Sequence, residues 1–146
     1  ADDVNARAQA LIGKQEPAGL GMGKVFSVDE LQYAVLAAEY SNQISPKFKR
    51  DVIKPDSVYL LVTVSVKNAG KQAYFIPNPK LVDENGAEYE MSADSIYTSK
   101  PMVFDRLNPG VIKQGIVAFD VPRGHRYKVE LSGPGLFAGS KEVQLP

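Results

Sequence analysis

From Leu60 to Lys67 the chain alternates strictly, with Leu60, Val62, Val64 and Val66 interleaved by Leu61, Thr63, Ser65 and Lys67. Successive side chains on a strand point to opposite faces, so this period of two buries one set and turns the other away. Further strands read at about Leu31 to Tyr40, Lys80 to Asp83, Ala87 to Met91, Gly115 to Val121, Tyr127 to Ser132 and Glu142 to Leu145. Val117, Phe119 and Val121 point inward on one of these, and Tyr127, Val129 and Leu131 on the next. Asn85-Gly86 lies between two runs, the pair that a two-residue type I′ hairpin prefers because both positions need positive φ. Pro77, Pro79, Pro101, Pro109, Pro122 and Pro134 punctuate the rest. Many short strands with turn signals between them predict an all-β sandwich or barrel.

Size and charge narrow the function classes. A chain of 146 residues has room for one domain with a real core. Its 17 lysines and arginines balance 17 aspartates and glutamates, so no long-range field steers it onto phosphate or anionic lipid, and nucleic acid is not an expected partner. The densest basic cluster, Lys47, Lys49, Arg50 and Lys54, is broken by Phe48, Asp51 and Pro55 and reads as a solvated loop or edge. Without cysteine there is no disulfide, thiol nucleophile or zinc–thiolate site. No apolar run reaches the roughly 20 residues of a membrane span. The start Ala1-Asp2-Asp3 resembles a chain cut by signal peptidase, and a lipid-bearing Cys ahead of Ala1 is equally compatible with it. Export, to the periplasm, the cell surface or the medium, is the expectation.

Ahead of the β body, Val4, Ala8, Leu11 and Ile12 share one face of a short helix that Asp2 or Asp3 can cap and Gly13 can end. Pro17 and the glycines at 19, 21 and 23 give the following segment linker chemistry. The expected organisation is a helical arm and linker over 1–23 and a sandwich over 24–146. So short a helix needs something to pack on, either its own sandwich or a neighbouring molecule.

The run Leu61-Val62-Thr63-Val64-Ser65-Val66-Lys67-Asn68-Ala69-Gly70-Lys71 resembles the valine-rich strand and Lys-Asn-x-Gly signature of a telokin-like immunoglobulin-fold family of bacterial secreted proteins and lipoproteins, with a mycobacterial secreted antigen among its distant members. Leu81 to Tyr89, Leu107-Asn108-Pro109-Gly110 and Gly115 to Pro122 agree in order and spacing. Val25 to Ala37 is similar to that family's first strands, so the resemblance covers Lys24 to about Ser132. It implies an immunoglobulin-like antiparallel β-sandwich of roughly seven to nine strands. It carries no catalytic residues, and a fold does not fix a function.

Other chemical candidates have plain structural readings. His125, the only histidine, sits in the turn Pro122 to Arg126, and no Gly-x-Ser-x-Gly elbow accompanies it. Gly19 to Lys24 lacks the glycine and the Ser or Thr of a P-loop, with Ala18 and Val25 in their places. Asp83, Glu84, Glu88, Glu90 and Asp94 crowd one hairpin but have no EF-hand order, so a solvated tip is expected rather than calcium. Met22, Met91 and Met102 are too dispersed for a copper site. No enzyme, cofactor or metal is therefore expected. Tyrosines beyond what one core absorbs suggest a recognition surface. If Leu60, Val62 and Val64 face the core, Tyr59 and Leu61 face outward, as do Ile116 and Ala118 on their own strand. These four mark the expected interaction surface, with binding of a protein partner or another copy through a sheet face or loop end, and the N-terminal helix is a candidate cover. The alternative is a small-ligand or carbohydrate-binding domain with a concave aromatic pocket, which an enclosed cavity with convergent polar groups would favour.

Overall fold

The computed structural model describes residues 21–48 and 51–146. Among them the chain forms β1 (Phe26–Val28), β2 (Leu31–Ser41), β3 (Val58–Asn68), β4 (Tyr74–Phe75), β5 (Lys80–Asp83), β6 (Glu88–Glu90), a 3₁₀ turn (Ala93–Tyr97), β7 (Arg106–Leu107), β8 (Ile112–Val121), β9 (Tyr127–Ser132) and β10 (Ser140–Gln144). Two antiparallel sheets carry the body, ordered β8-β3-β2-β1 and β10-β9-β5-β6, while β4 and β7 form a separate pair. The chain is an all-β sandwich.

The alternating rows set the register. Phe119 lies opposite Leu60 and Val117 opposite Val62, and all four are buried with Val64 and Val66. In the second sheet Val129 sits between Val143 and Leu81. The inner rows of the two sheets, with Tyr127 and Leu131, belong to one core cluster. Each such side chain contributes about 1.5–3 kcal/mol on full burial.

Loop chemistry ties the strands together. Asn68 is fully buried, yet its amide is satisfied on every side: Nδ2 donates to the carbonyls of Leu107 and Gln72 at 2.7 and 2.8 Å, and Oδ1 accepts from the Gly70 N–H. The Lys-Asn-x-Gly run is thus a buried polar clasp at the end of β3. Tyr127, at the start of β9, donates its hydroxyl to the Pro122 carbonyl at 2.6 Å, clamping the turn that leads from one sheet to the other.

The structure corrects the β5–β6 tip. Gly86 has φ of 83° but Asn85 has no positive φ, and the Gly86 N–H bonds to the Asp83 carbonyl while the Asp83 N–H bonds to that of Ala87. The loop is therefore three residues long, a turn ending in a left-handed glycine, rather than a two-residue type I′ turn. Asp83 enforces this, because its Oδ1 accepts from both Asn85 N–H and Ala87 N–H at 2.9 Å. A two-residue hairpin does occur at Asp29–Glu30, between partners Val28 and Leu31, with Asp29 at φ 52°.

The expected N-terminal helix, with most of its linker, lies outside the described residues. Met22 packs on the core and the Gly23 N–H donates to the Val35 carbonyl at 2.7 Å. The segment 92–102 closes the open edge of β8. Ser92 N–H donates to Ala118 O, Ile116 N–H to Lys100 O, and Met102 N–H to Ile116 O. Gly115 permits this approach, since a Cβ there would lie 2.6 Å from Met102 Cα.

Candidate functional site

Tyr59, Leu61, Ile116 and Ala118 share the outer face of the first sheet, with Ala118 paired to Leu61 and Ile116 to Thr63. They are not equally exposed. Tyr59 and Ala118 are completely buried, whereas Leu61 and Ile116 are half-buried. Two loops provide the cover. Ile44 and Ile53 pair through reciprocal 2.8 Å backbone bonds across the β2–β3 connection, and with Tyr97 they pack over Tyr59 and Ala118. Ser95 fastens the second loop: its hydroxyl accepts from the Ala118 N–H at 2.9 Å. Tyr59 donates its hydroxyl to Asp94 at 2.6 Å. Burial, then the Asp94 carboxylate, pushes the Tyr59 pKa up, so the phenol remains a donor.

Two concavities remain where these loops do not meet the sheet. Leu61 and Ile116 line a small cavity of about 190 Å³ with Glu39, Gln43, Ile44 and Thr98. Beside it runs a groove of about 320 Å³ walled by Pro46, Phe48, Ile96, Tyr97 and Pro101. Thr98 and Ser99 border both, which makes the two contiguous. Phe48 and Ile96 are 86% and 66% exposed in this groove. Of the basic cluster, Lys47 lines the groove, and Lys49 and Arg50 lie outside the described residues.

A second, polar site was not visible in the sequence. The β5–β6 tip brings Asp83 and Glu84 to the turn holding His125, whose Nδ1 lies 3.0 Å from Glu84 Oε2 and 3.9 Å from Asp83 Oδ2. Glu84 Oε1 accepts from the Arg126 N–H, and Tyr89 donates its hydroxyl to Asp83 Oδ2. Burial works to raise the Asp83 pKa, but the N–H groups of Ala87 and Asn85, the Tyr89 hydroxyl and His125 together hold it below the ordinary value. The Glu84 pKa is also lowered, by its own N–H, that of Arg126 and the His125 ring. The other hairpin carboxylates disperse: Glu88 pairs with Lys80, Glu90 stays exposed, and Asp94 serves Tyr59. The three methionines are core packing, Met102 buried and Met22 and Met91 against it. Among the described residues no helix is long and apolar enough to cross a membrane.

Residues 20–142 match the family described as "Domain of unknown function (DUF4352)". No curated protein is significantly similar to the chain. Several solved structures share the fold. The yjhA protein of Bacillus subtilis is 15% identical, with a TM-score of 0.67 over 86% of this chain and 99% of its own. An uncharacterised β-sandwich protein of Clostridium difficile is 15% identical, with a TM-score of 0.55 over 93% of this chain and 100% of its own. A secreted protein of Mycobacterium tuberculosis, MPT63, is 12% identical, with a TM-score of 0.59 over 88% of this chain and 96% of its own.

Proposed function

The chain belongs to the DUF4352 family, whose description assigns no function, and from the geometry of its outer loops we propose that it is an exported, non-enzymatic binding module that takes an extended apolar segment of a partner protein into the groove between the β2–β3 connection and the 3₁₀ turn. The observation that carries this reading is the exposure of Phe48 and Ile96, which wall a groove of about 320 Å³. Large apolar side chains set together in a concave site commonly mark recognition surfaces. Through Thr98 and Ser99 the groove adjoins the small cavity that Leu61 and Ile116 line, so the outer face of the first sheet lies beside the site rather than being the docking surface itself.

The finer fold assignment belongs to the same proposal. The strand order supports an immunoglobulin-like topology: β2-β3-β8 corresponds to strands A, B and E, and β10-β9-β5-β6 to G, F, C and C′. The Tyr127 bond to Pro122 has the form of a tyrosine corner at the start of strand F. Export is supported by the secreted mycobacterial neighbour. A division into an arm over 1–23 and a sandwich over 24–146 completes the reading.

The carbohydrate-binding alternative is less well supported, because sugars are usually held against aromatic faces. A polar cavity of about 650 Å³ is lined by Val82, Asp83, Glu84, Arg126, Lys128, Glu142, Gln144, Leu145 and Pro146, without an aromatic ring. Selection of displayed random peptides on the intact chain tests the proposal. Recovered peptides should carry apolar residues in extended spacing and lose binding to a Phe48→Ser/Ile96→Ser variant. Equal binding to that variant would remove the groove from the function.

A further inference from the structure

We propose that Asp83, Glu84 and His125 form a binding site for a divalent first-row metal ion, with Zn²⁺ the ion of best chemical fit. One oxygen of each carboxylate and one ring nitrogen of the imidazole lie within 4.8 Å of one another. The two contacts of the imidazole Nδ1, 3.0 Å to Glu84 Oε2 and 3.9 Å to Asp83 Oδ2, bracket the spacing an ion imposes. Bonds of about 2.0 Å in a tetrahedral shell hold neighbouring ligand atoms about 3.3 Å apart. The two imidazole contacts fall on either side of that spacing, and all three ligand atoms lie within 4.8 Å of one another.

The remaining atoms of the three residues are arranged as a metal centre needs them. Asp83 Oδ1 is occupied by the N–H groups of Asn85 and Ala87, which fixes the carboxylate and leaves Oδ2 with the Tyr89 hydroxyl as its one hydrogen-bond donor and the His125 ring 3.9 Å away. Glu84 Oε1 is held by the Arg126 N–H, which leaves Oε2 free to exchange its imidazole partner for an ion. Outer hydrogen bonds of this kind orient ligands and sustain affinity. Asp83 and Glu84 also line the cavity of about 650 Å³, which has room for the water that completes a three-ligand shell.

The donor set chooses the ion. Calcium and magnesium favour shells made of oxygen, whereas an imidazole nitrogen beside carboxylates suits zinc and its first-row neighbours. The imidazole is also what separates this site from an ordinary acidic hairpin. To ligate through Nδ1, His125 presents that nitrogen's lone pair and carries its proton on Nε2. The consequence is mechanical as well as chemical. An ion here staples the β5–β6 tip to the β8–β9 turn, two loops far apart in the chain.

Calorimetric titration of ZnCl₂ into the intact chain at pH 7, in a non-chelating buffer, tests the site. We expect one saturable micromolar site, a higher thermal transition with zinc than without, and no comparable binding of Mg²⁺ or Ca²⁺. His125→Ala, His125→Gln and Glu84→Gln should each weaken zinc by at least about tenfold. His125→Gln and Glu84→Gln keep polar side chains in place and guard against a folding artefact, which the zinc-free thermal transition checks. Glu142→Gln, in the same cavity but away from the three ligands, should bind as the parent does. The assignment is overturned if the parent shows no saturable binding up to millimolar zinc. It is equally overturned if the His125 variants bind zinc as the parent does, or if Glu142→Gln loses as much affinity as they do.

Discussion

The outer face of the first sheet has two halves built on the same strands with the same pairing, and only one of them is covered. At the Tyr59 and Ala118 end, β3 is buried on both faces. At the other end its outer row, Thr63, Ser65 and Lys67, is half-buried. What differs is the chemistry of the row. Tyr59, Leu61, Ile116 and Ala118 are apolar enough to hold two loops down, and the loops supply Ile44, Ile53 and Tyr97 to meet them. Thr63, Ser65, Lys67 and Gln114 offer no such gain. A loop here is ordered by what it lies on, and the groove of Phe48 and Ile96 is the place where that cover is incomplete.

The inner face is the reference for both halves, so its mutation should have the largest effect. Phe119 is fully buried opposite Leu60, and Phe119→Ala should cost about 3–5 kcal/mol in denaturant unfolding. A loss below about 1 kcal/mol would be that of a surface residue and would place the core elsewhere. Next comes the fastening of the covered half. Ser95→Ala removes the acceptor of the buried Ala118 N–H, and an unsatisfied buried donor costs about 1–3 kcal/mol. Amide exchange at Ala118 should quicken in this variant. Unchanged exchange would mean that the 3₁₀ turn does not hold the face shut.

This contrast also explains what could be read in the sequence. Long alternating rows were legible because burial on one face writes itself as a period of two: Lys80–Asp83 and Tyr127–Ser132 fall where the pattern places them. The three residues of β1 and the two each of β4 and β7 are too short to show any period. Outward direction was legible for Tyr59 and Ala118, but burial was not, because it depends on Ile44, Ile53 and Ser95, which are remote in sequence. The Asn85-Gly86 tip was placed correctly and counted one residue short, since the deciding group is the Asp83 side chain. His125 read as a bland turn residue because Glu84 lies 41 positions away. Alternation along one strand carries no information about such a meeting.

A smaller effect tests whether polar contacts or apolar cover hold the closed half. Tyr59→Phe keeps the ring and removes only the hydroxyl donated to Asp94. A typical hydrogen bond contributes about 1 kcal/mol net, somewhat more to a charged partner. We expect a loss of that order, with Ile44 and Ile53 still packed. A loss near that of Phe119→Ala would show that the Tyr59–Asp94 bond, rather than the apolar contact, organises both loops.

The smallest effect belongs to the open half. Ser65 faces outward between Ala34 and Gln114, and Thr63 lies between Ala37 and Ile116. Neither side chain makes a hydrogen bond among the described residues, so Thr63→Ala and Ser65→Ala should change stability by no more than about 0.5 kcal/mol each. Both are half-buried and their side chains are without a hydrogen-bond partner in the described residues, so an isolated sandwich requires near-neutrality. The same substitutions in a chain beginning at Gly21 sharpen the reading. If they are neutral there but clearly destabilising in the full chain, residues 1–20 fold back onto the open half, and the two halves differ in which part of the chain covers them. If they are neutral in both, the open half is a solvated face that residues 1–20 do not cover.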